Sequence, residues 1–150
     1  MTRIAQCHCG KVKLTCEGEP NPVIMCSCQL CQRRTGSPVH IGAWFETEHV
    51  TIEGKTTEFT RTSGDRGMKA TFNFCPVCGT SIWWGHPLTD GPFAGKIGIA
   101  GGCFADSNFP PPTIAIYDKR RHPWIPVPDG IPCFTDVPSL EDMPKVFGGD

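Results

Sequence analysis

Three cysteine clusters constrain this chain more than any other feature: Cys7-His8-Cys9, Cys26-Ser27-Cys28-Gln29-Leu30-Cys31 and Cys75-Pro76-Val77-Cys78. Thiols this close in sequence either pair as disulfides or hold metal, and the redox compartment decides between the two. The chain begins Met1-Thr2-Arg3-Ile4-Ala5-Gln6 and meets Cys7 without the apolar stretch of an export signal. A cytoplasmic location is therefore expected, where thiols stay reduced and clustered cysteines read as metal ligands. Ten cysteines in 150 residues also fall below the roughly 8–10% of short disulfide scaffolds.

The spacings assign the ligands to two ions. Residues two apart in a strand project to one face, so Cys7 and Cys9 can offer two thiolates to the same metal. The stretch Cys75-Pro76-Val77-Cys78-Gly79-Thr80 reads as a knuckle turn in which Gly79 supplies a left-handed position and the two sulfurs converge. Pair and knuckle together make a four-thiolate tetrahedron, the closed shell that zinc takes in structural sites, and joining Cys7 to Cys78 closes a long loop. The middle cluster supplies three thiolates within six residues and leaves a fourth position to one of two readings. Left open, it has the character of a catalytic zinc. Closed by Cys16, Cys103, Cys133, His8 or His40, it makes both ions structural. Two zinc ions per chain are expected either way.

The rest of the chain predicts an all-β fold and a single domain over 1–150. Apolar residues recur at every second position in Val12, Leu14 and Cys16, in Ile41, Ala43 and Phe45, in Val50 and Ile52, in Phe72 and Phe74, and in Ile114 and Ile116. With 17 Gly and 15 Pro there is little room for long helices, and the one helical candidate is Gln29 to Arg34, ended by Gly36. Gly54-Lys55 and Ser63-Gly64-Asp65-Arg66-Gly67 read as hairpin turns. Nine of the prolines fall from Pro110 onward, so the last quarter is expected to wrap the sheet as extended coil. A net charge of −1 gives no basic field for nucleic acid or anionic lipid, and no window approaches the ~18 apolar residues of a membrane span.

The order and wording of these motifs resemble the glutathione-dependent formaldehyde-activating family, which includes centromere protein V. The likeness rests on Cys7-His8-Cys9-Gly10-Lys11-Val12, on Cys26-Ser27-Cys28-Gln29-Leu30-Cys31-Gln32-Arg33-Arg34-Thr35-Gly36, on Phe74-Cys75-Pro76-Val77-Cys78-Gly79-Thr80, and on Pro123-Trp124 with Asp129-Gly130-Ile131-Pro132, from about residue 4 to 134. It implies a β-tent fold, a structural zinc on Cys7, Cys9, Cys75 and Cys78, and a catalytic zinc on Cys26, Cys28 and Cys31. The activity it implies is that of a carbon–sulfur lyase joining glutathione to formaldehyde as S-hydroxymethylglutathione. The chain departs from the family where a His-Ile-Trp stretch is usual and Ala115, Ile116 and Tyr117 stand instead.

Zinc coordination deprotonates a thiol outright, so a substrate thiol beside Cys26, Cys28 and Cys31 becomes the nucleophile for an aldehyde carbon held next to it. Glutathione carries two carboxylates, which suit guanidinium forks, and Arg33 and Arg34 are the expected contacts. Lys119, Arg120 and Arg121 are either further contacts or a solvated run. His40 is either a proton donor to the developing alkoxide or a strand histidine with a structural hydrogen bond. Trp44, Trp83, Trp84 and Trp124 either wall a pocket or fill the core, and Cys16, Cys103 and Cys133 read as small buried residues. The competing function is a zinc-stabilised ligand- or protein-binding module without chemistry.

Overall fold

A computed structural model describes residues 1–62, 69–139 and 141–143. The alternating segments form ten short strands in two sheets, as the apolar period of two requires. The small sheet holds β1 (Thr2–Gln6), β2 (Lys13–Glu17) and β5 (Val50–Glu53) in the order β1-β2-β5. The large sheet holds β3 (Val23–Cys26), β4 (His40–Glu46), β6 (Thr57–Arg61), β7 (Ala70–Phe74), β8 (Ser81–Gly85), β9 (Lys96–Ala100) and β10 (Ile114–Ile116), in the order β10-β3-β4-β9-β8-β7-β6. Every pairing is antiparallel except β10 with β3.

The small sheet covers one face of the large one. Ala5, Leu14 and Cys16 pack there against Ala43, Phe45, Ile82, Ile97 and Ile99 in an inner core from which water is excluded. The opposite face of the large sheet is apolar too: Ile24, Trp44, Phe72, Trp84 and Ile114 form a second cluster. Strand β4 is accordingly buried on both sides, with His40, Gly42 and Trp44 facing one way and Ala43 and Phe45 the other. Helix α1 (Gln29–Thr35) matches the predicted stretch and ends on Gly36 at φ 69°. Among the described residues no helix is long and apolar enough to cross a membrane.

Two turn expectations fare differently. Gly54-Lys55 does not close a hairpin, because β5 pairs with β2 while β6 pairs with β7, so the chain crosses between sheets here. The glycine is needed for that crossing: φ is 96°, and a Cβ would sit 2.1 Å from the Lys11 carbonyl oxygen. The turn predicted at 63–67 lies outside the described residues. Beyond β10, the segment around Pro132 to Asp136 runs alongside that strand and parallel to it. Ala115 N–H donates to Pro132 O and Phe134 N–H to Ala115 O, both at 2.9 Å, which pairs the strand's outer side.

Candidate functional site

The two thiol groups assemble, and they do so in different settings. The Sγ atoms of Cys7, Cys9, Cys75 and Cys78 all lie within 4.8 Å of one another, and the Cys7–Cys9 and Cys9–Cys75 separations are both 3.7 Å. A tetrahedral zinc with bonds of about 2.3 Å sets its sulfurs about 3.8 Å apart, so this donor set fits such an ion as it stands. Cys7 and Cys9 are not strand residues as the spacing suggested. Strand β1 ends at Gln6, and a turn follows in which Gly10 N–H donates to Cys7 O at 3.0 Å. Val12 N–H donates to Cys7 Sγ at 3.2 Å. Thr80 Oγ1 accepts from His8 N–H, which leaves its hydroxyl to donate to Cys78 Sγ at 3.2 Å and hold that thiol down to about 5. The group ties the turn after β1, in the small sheet, to the turn between β7 and β8, in the large one.

The second group sits where β3 hands over to α1. Cys26 is the last residue of β3, Cys28 caps the helix by accepting Cys31 N–H at 3.3 Å, and Cys31 lies in the first turn. The three sulfurs are mutually within 4.8 Å, and among the described residues no fourth Cys, His, Asp or Glu donor joins them. The sequence candidates for a fourth ligand lie elsewhere: Cys16 in the inner core, Cys103 beside the four-cysteine group, His8 exposed in the turn after β1, and His40 outside the set. Cys133, expected to be buried, is exposed, because its segment runs along the outside of β10. Hydrogen bonds from Cys26 and then Cys31 hold the Cys28 thiol well below the ordinary thiol range, while the same contact with Cys28 pushes Cys26 far up. Sulfurs that must share protons in this way are a donor set suited to a divalent cation.

These three sulfurs line one end of a cavity of about 310 Å³ on the face of the large sheet away from the small one. His40, the cross-strand partner of Cys26, stands at the same end, 7% exposed and with Nε2 unpartnered among the described residues. Burial, then the Arg34 charge, bring its imidazole down to about 3, so it is neutral at pH 7. Arg34 Nη1 donates to Ser81 Oγ at 2.9 Å while the guanidinium lies 4.5 Å over Phe72 and 5.0 Å over Trp84. A β-bulge makes this possible. Asn73 pairs with Trp83 and Phe74 with Ser81, so Ile82 is an extra residue that lets Ser81 and Trp84, three apart, share one face of the sheet, where both meet Arg34.

At the other end Trp44 meets Phe93 at 4.5 Å and stacks on His86 at 5.6 Å, and His86 Nδ1 donates to Lys69 O at 2.9 Å. Arg61 lines the wall 5.3 Å over Phe72, with a buried Nε that has no partner among the described residues. The described lining includes Arg34, Arg61, Lys119 and Arg120 and not one carboxylate. Lys119 pairs with Asp136. Arg121 turns away to Asp118 and the Ile125 carbonyl, and Arg33 is exposed and off the cavity. Of the tryptophans, Trp44 and Trp84 line the cavity, Trp83 packs on the inner core and Trp124 is 70% exposed. Ala115 packs with Met25 and Ile125 on the opposite face, so the departure from the family's histidine takes no group from the cavity, and its neighbours Ile116 and Tyr117 line it.

Sequence reading missed Arg61, His86 and Phe93. None stands near a motif; strand order brings Arg61 and His86 to the cavity, and the connection between β8 and β9 brings Phe93.

Nothing among curated proteins matches the chain. The sequence model of the glutathione-dependent formaldehyde-activating enzyme family matches residues 2–120, which takes in all seven clustered cysteines and stops short of the Pro123-Trp124 and Asp129-Pro132 motifs. With both thiol groups assembled inside the matched range, the chain belongs to the glutathione-dependent formaldehyde-activating enzyme family.

Proposed function

We propose that the protein is a carbon–sulfur lyase that makes and breaks the bond between the glutathione sulfur and an aldehyde carbon, with the reacting thiol held at Cys26, Cys28 and Cys31. The observation that carries this reading is a three-sulfur group, without a fourth donor among the described residues, at the end of a cavity rich in cations and free of carboxylates. Cys26, Cys28 and Cys31 would hold a zinc ion, which would supply positive charge favouring the thiolate form of a bound thiol near neutral pH. In the addition the sulfur–carbon bond forms, the carbonyl π pair moves to oxygen, and the proton given up by the thiol ends there.

The chain's own residues bind and orient. Arg34, fixed by Ser81 and by two aromatic rings, presents a guanidinium fork to one carboxylate of the thiol, and Arg120 at the rim offers a second. Lys119 is already neutralised by Asp136 and contributes less. His40, held neutral, acts as an N–H hydrogen-bond donor to the oxygen on which charge develops rather than as an imidazolium acid. The four-cysteine group is assigned a second zinc whose role is to hold the two sheets together.

Zinc content and the sulfur count from X-ray absorption test the metal assignment: two ions per chain with a mean between three and four sulfurs is expected, and a full four without added thiol removes the open site. Calorimetric titration of the zinc-loaded protein with glutathione should give saturable binding. No binding at millimolar glutathione points to another thiol or to the binding-module reading.

A further inference from the structure

The proposed reaction gives Arg34 and Arg120 to the thiol, and Lys119 is paired with Asp136, but Arg61 on the same cavity has no part in it. We infer that Arg61 is the centre of a further carboxylate subsite, beside His86 and Phe72, which takes either the second carboxylate of the thiol or an acid group on the carbonyl component. This rests on the thiol–aldehyde reading of the site.

The register brings Arg61 there. It is the last residue of β6, the edge strand of the large sheet, and its cross-strand partner is Ala70. Ala70 and Phe72, two apart on β7, share the cavity face, so Arg61 stands on that face as well. The methyl group opposite leaves room for the long side chain to lie across the sheet, and the guanidinium comes to rest 5.3 Å over the Phe72 ring. Arg34 reaches the same ring from α1, at 4.5 Å. His86, close by, stacks on Trp44 and donates Nδ1–H to Lys69 O. Burial, with a smaller contribution from the Arg61 charge, holds its imidazole below the usual range, so at pH 7 it is neutral and its other ring nitrogen has no proton to give. The cation of this wall is Arg61.

Stability does not account for this placement. A ring face attracts a guanidinium, yet it accepts nothing from the N–H bonds in the plane of the fork, and Arg61 Nε is shut off from water without an acceptor among the described residues. A desolvated donor on a charged group is costly when left unpaired. Elsewhere the protein avoids this cost: Arg3, the most buried cation of its ion pairs, meets both Glu19 and Asp106. Arg61 has no ion pair among the described residues, and the described lining of the cavity holds no carboxylate. An anionic group on a ligand supplies the missing acceptor. The planar fork of Nε with one Nη matches the two oxygens of a carboxylate, and the Arg34 charge over the same ring strengthens the attraction. Arg120, exposed at the rim, is screened by solvent and holds such a group less firmly.

The test uses the zinc-loaded protein and two readouts. Calorimetry gives the affinity for glutathione and for its two monoethyl esters, one blocked at each carboxylate, and NMR follows adduct exchange of glutathione with 4-oxobutanoate and with butanal, which differ in a terminal carboxylate. Arg61→Met keeps an apolar chain on Phe72 and removes the charge. If the subsite takes the thiol, Arg61→Met weakens glutathione by about fivefold or more and leaves unchanged the affinity for the one ester whose blocked group belongs there. If it takes the carbonyl component, glutathione affinity holds, while a wild-type kcat/KM about tenfold or more higher for 4-oxobutanoate than for butanal falls to near parity. Unchanged glutathione affinity together with an unchanged aldehyde ratio in the folded variant overturns the inference and leaves the thiol–aldehyde reading intact. Equal weakening of glutathione and both esters, a general effect of charge, also overturns it, as does loss of folding in both Arg61→Met and Arg61→Gln, which makes the arginine structural. A wild-type protein that neither binds glutathione nor accelerates its addition to either aldehyde overturns both.

Discussion

The two cysteine groups share one residue type and nearly one internal geometry, yet their surroundings differ in every respect that matters for chemistry. The four-cysteine group sits between two turns, one from each sheet, with an amide on Cys7 and a hydroxyl on Cys78, and only one of its members is exposed. The three-cysteine group sits on one strand end and one helix start, and its sulfurs border open space shared with Arg34, His40 and two tryptophans. Ligand count and neighbours, rather than ligand identity, separate the proposed clamp from the proposed reaction centre. A clamp joins parts of the chain that are distant in sequence, whereas a reaction centre is local in sequence and distant only from its substrate contacts.

The largest expected difference comes from removing one sulfur from each group. Cys78→Ser should leave the chain unfolded or insoluble, since metal binding in small zinc modules contributes ~10 kcal/mol or more and the proposed structural ion would link the two sheets. Cys28→Ser should keep the β circular dichroism spectrum and one zinc per chain while losing glutathione binding. If Cys28→Ser unfolds as Cys78→Ser does, both groups are clamps and the proposed reaction centre is withdrawn.

Graded chelation sharpens the same contrast without mutation. Zinc released into a chromogenic chelator should come off in two phases, the three-sulfur site first and at least about tenfold faster, because fewer ligands and direct access favour exchange. Circular dichroism should stay constant through the first phase and collapse in the second. A single phase with simultaneous unfolding would make the two groups equivalent.

Smaller effects probe what surrounds the three sulfurs. Arg34→Ala should weaken glutathione binding about tenfold, and Arg34→Lys should restore only part of it, because a lysine cannot present the fork or lie flat over Phe72 and Trp84. Ser81→Ala, which removes one hydrogen bond positioning that fork, should cost about threefold, within the ordinary worth of such a bond. Arg33→Ala, one residue from Arg34 but exposed and off the cavity, should change calorimetric affinity by less than about twofold. A larger effect of Arg33 than of Arg34 would reverse the assignment of the thiol's carboxylate contact.

The sequence by itself determined what depends on short-range periodicity and spacing. Strands followed from apolar residues at every second position, α1 from the run between Cys28 and Gly36, and the three-cysteine group and the two halves of the four-cysteine group from spacings within a few residues. The exceptions were also local. Cys7 and Cys9 look like strand neighbours but lie in a turn, and Gly54 carries the composition of a hairpin while serving a crossover. Nothing in a local window distinguishes a glycine that reverses a strand from one that passes close to another backbone. What only the tertiary structure decided is which residues share the cavity. Arg34 rather than Arg33 reaches it because a seven-residue helix turns one of two adjacent arginines toward a bulge in β8. Arg61 and His86 reach it because β6 and β8 fall where they do in the strand order, and Phe93 because the connection between β8 and β9 follows them, an arrangement set by the pairing of β9 with the distant β4. Such long-range pairing depends on the fit of whole faces, so the pattern of any one segment does not contain it.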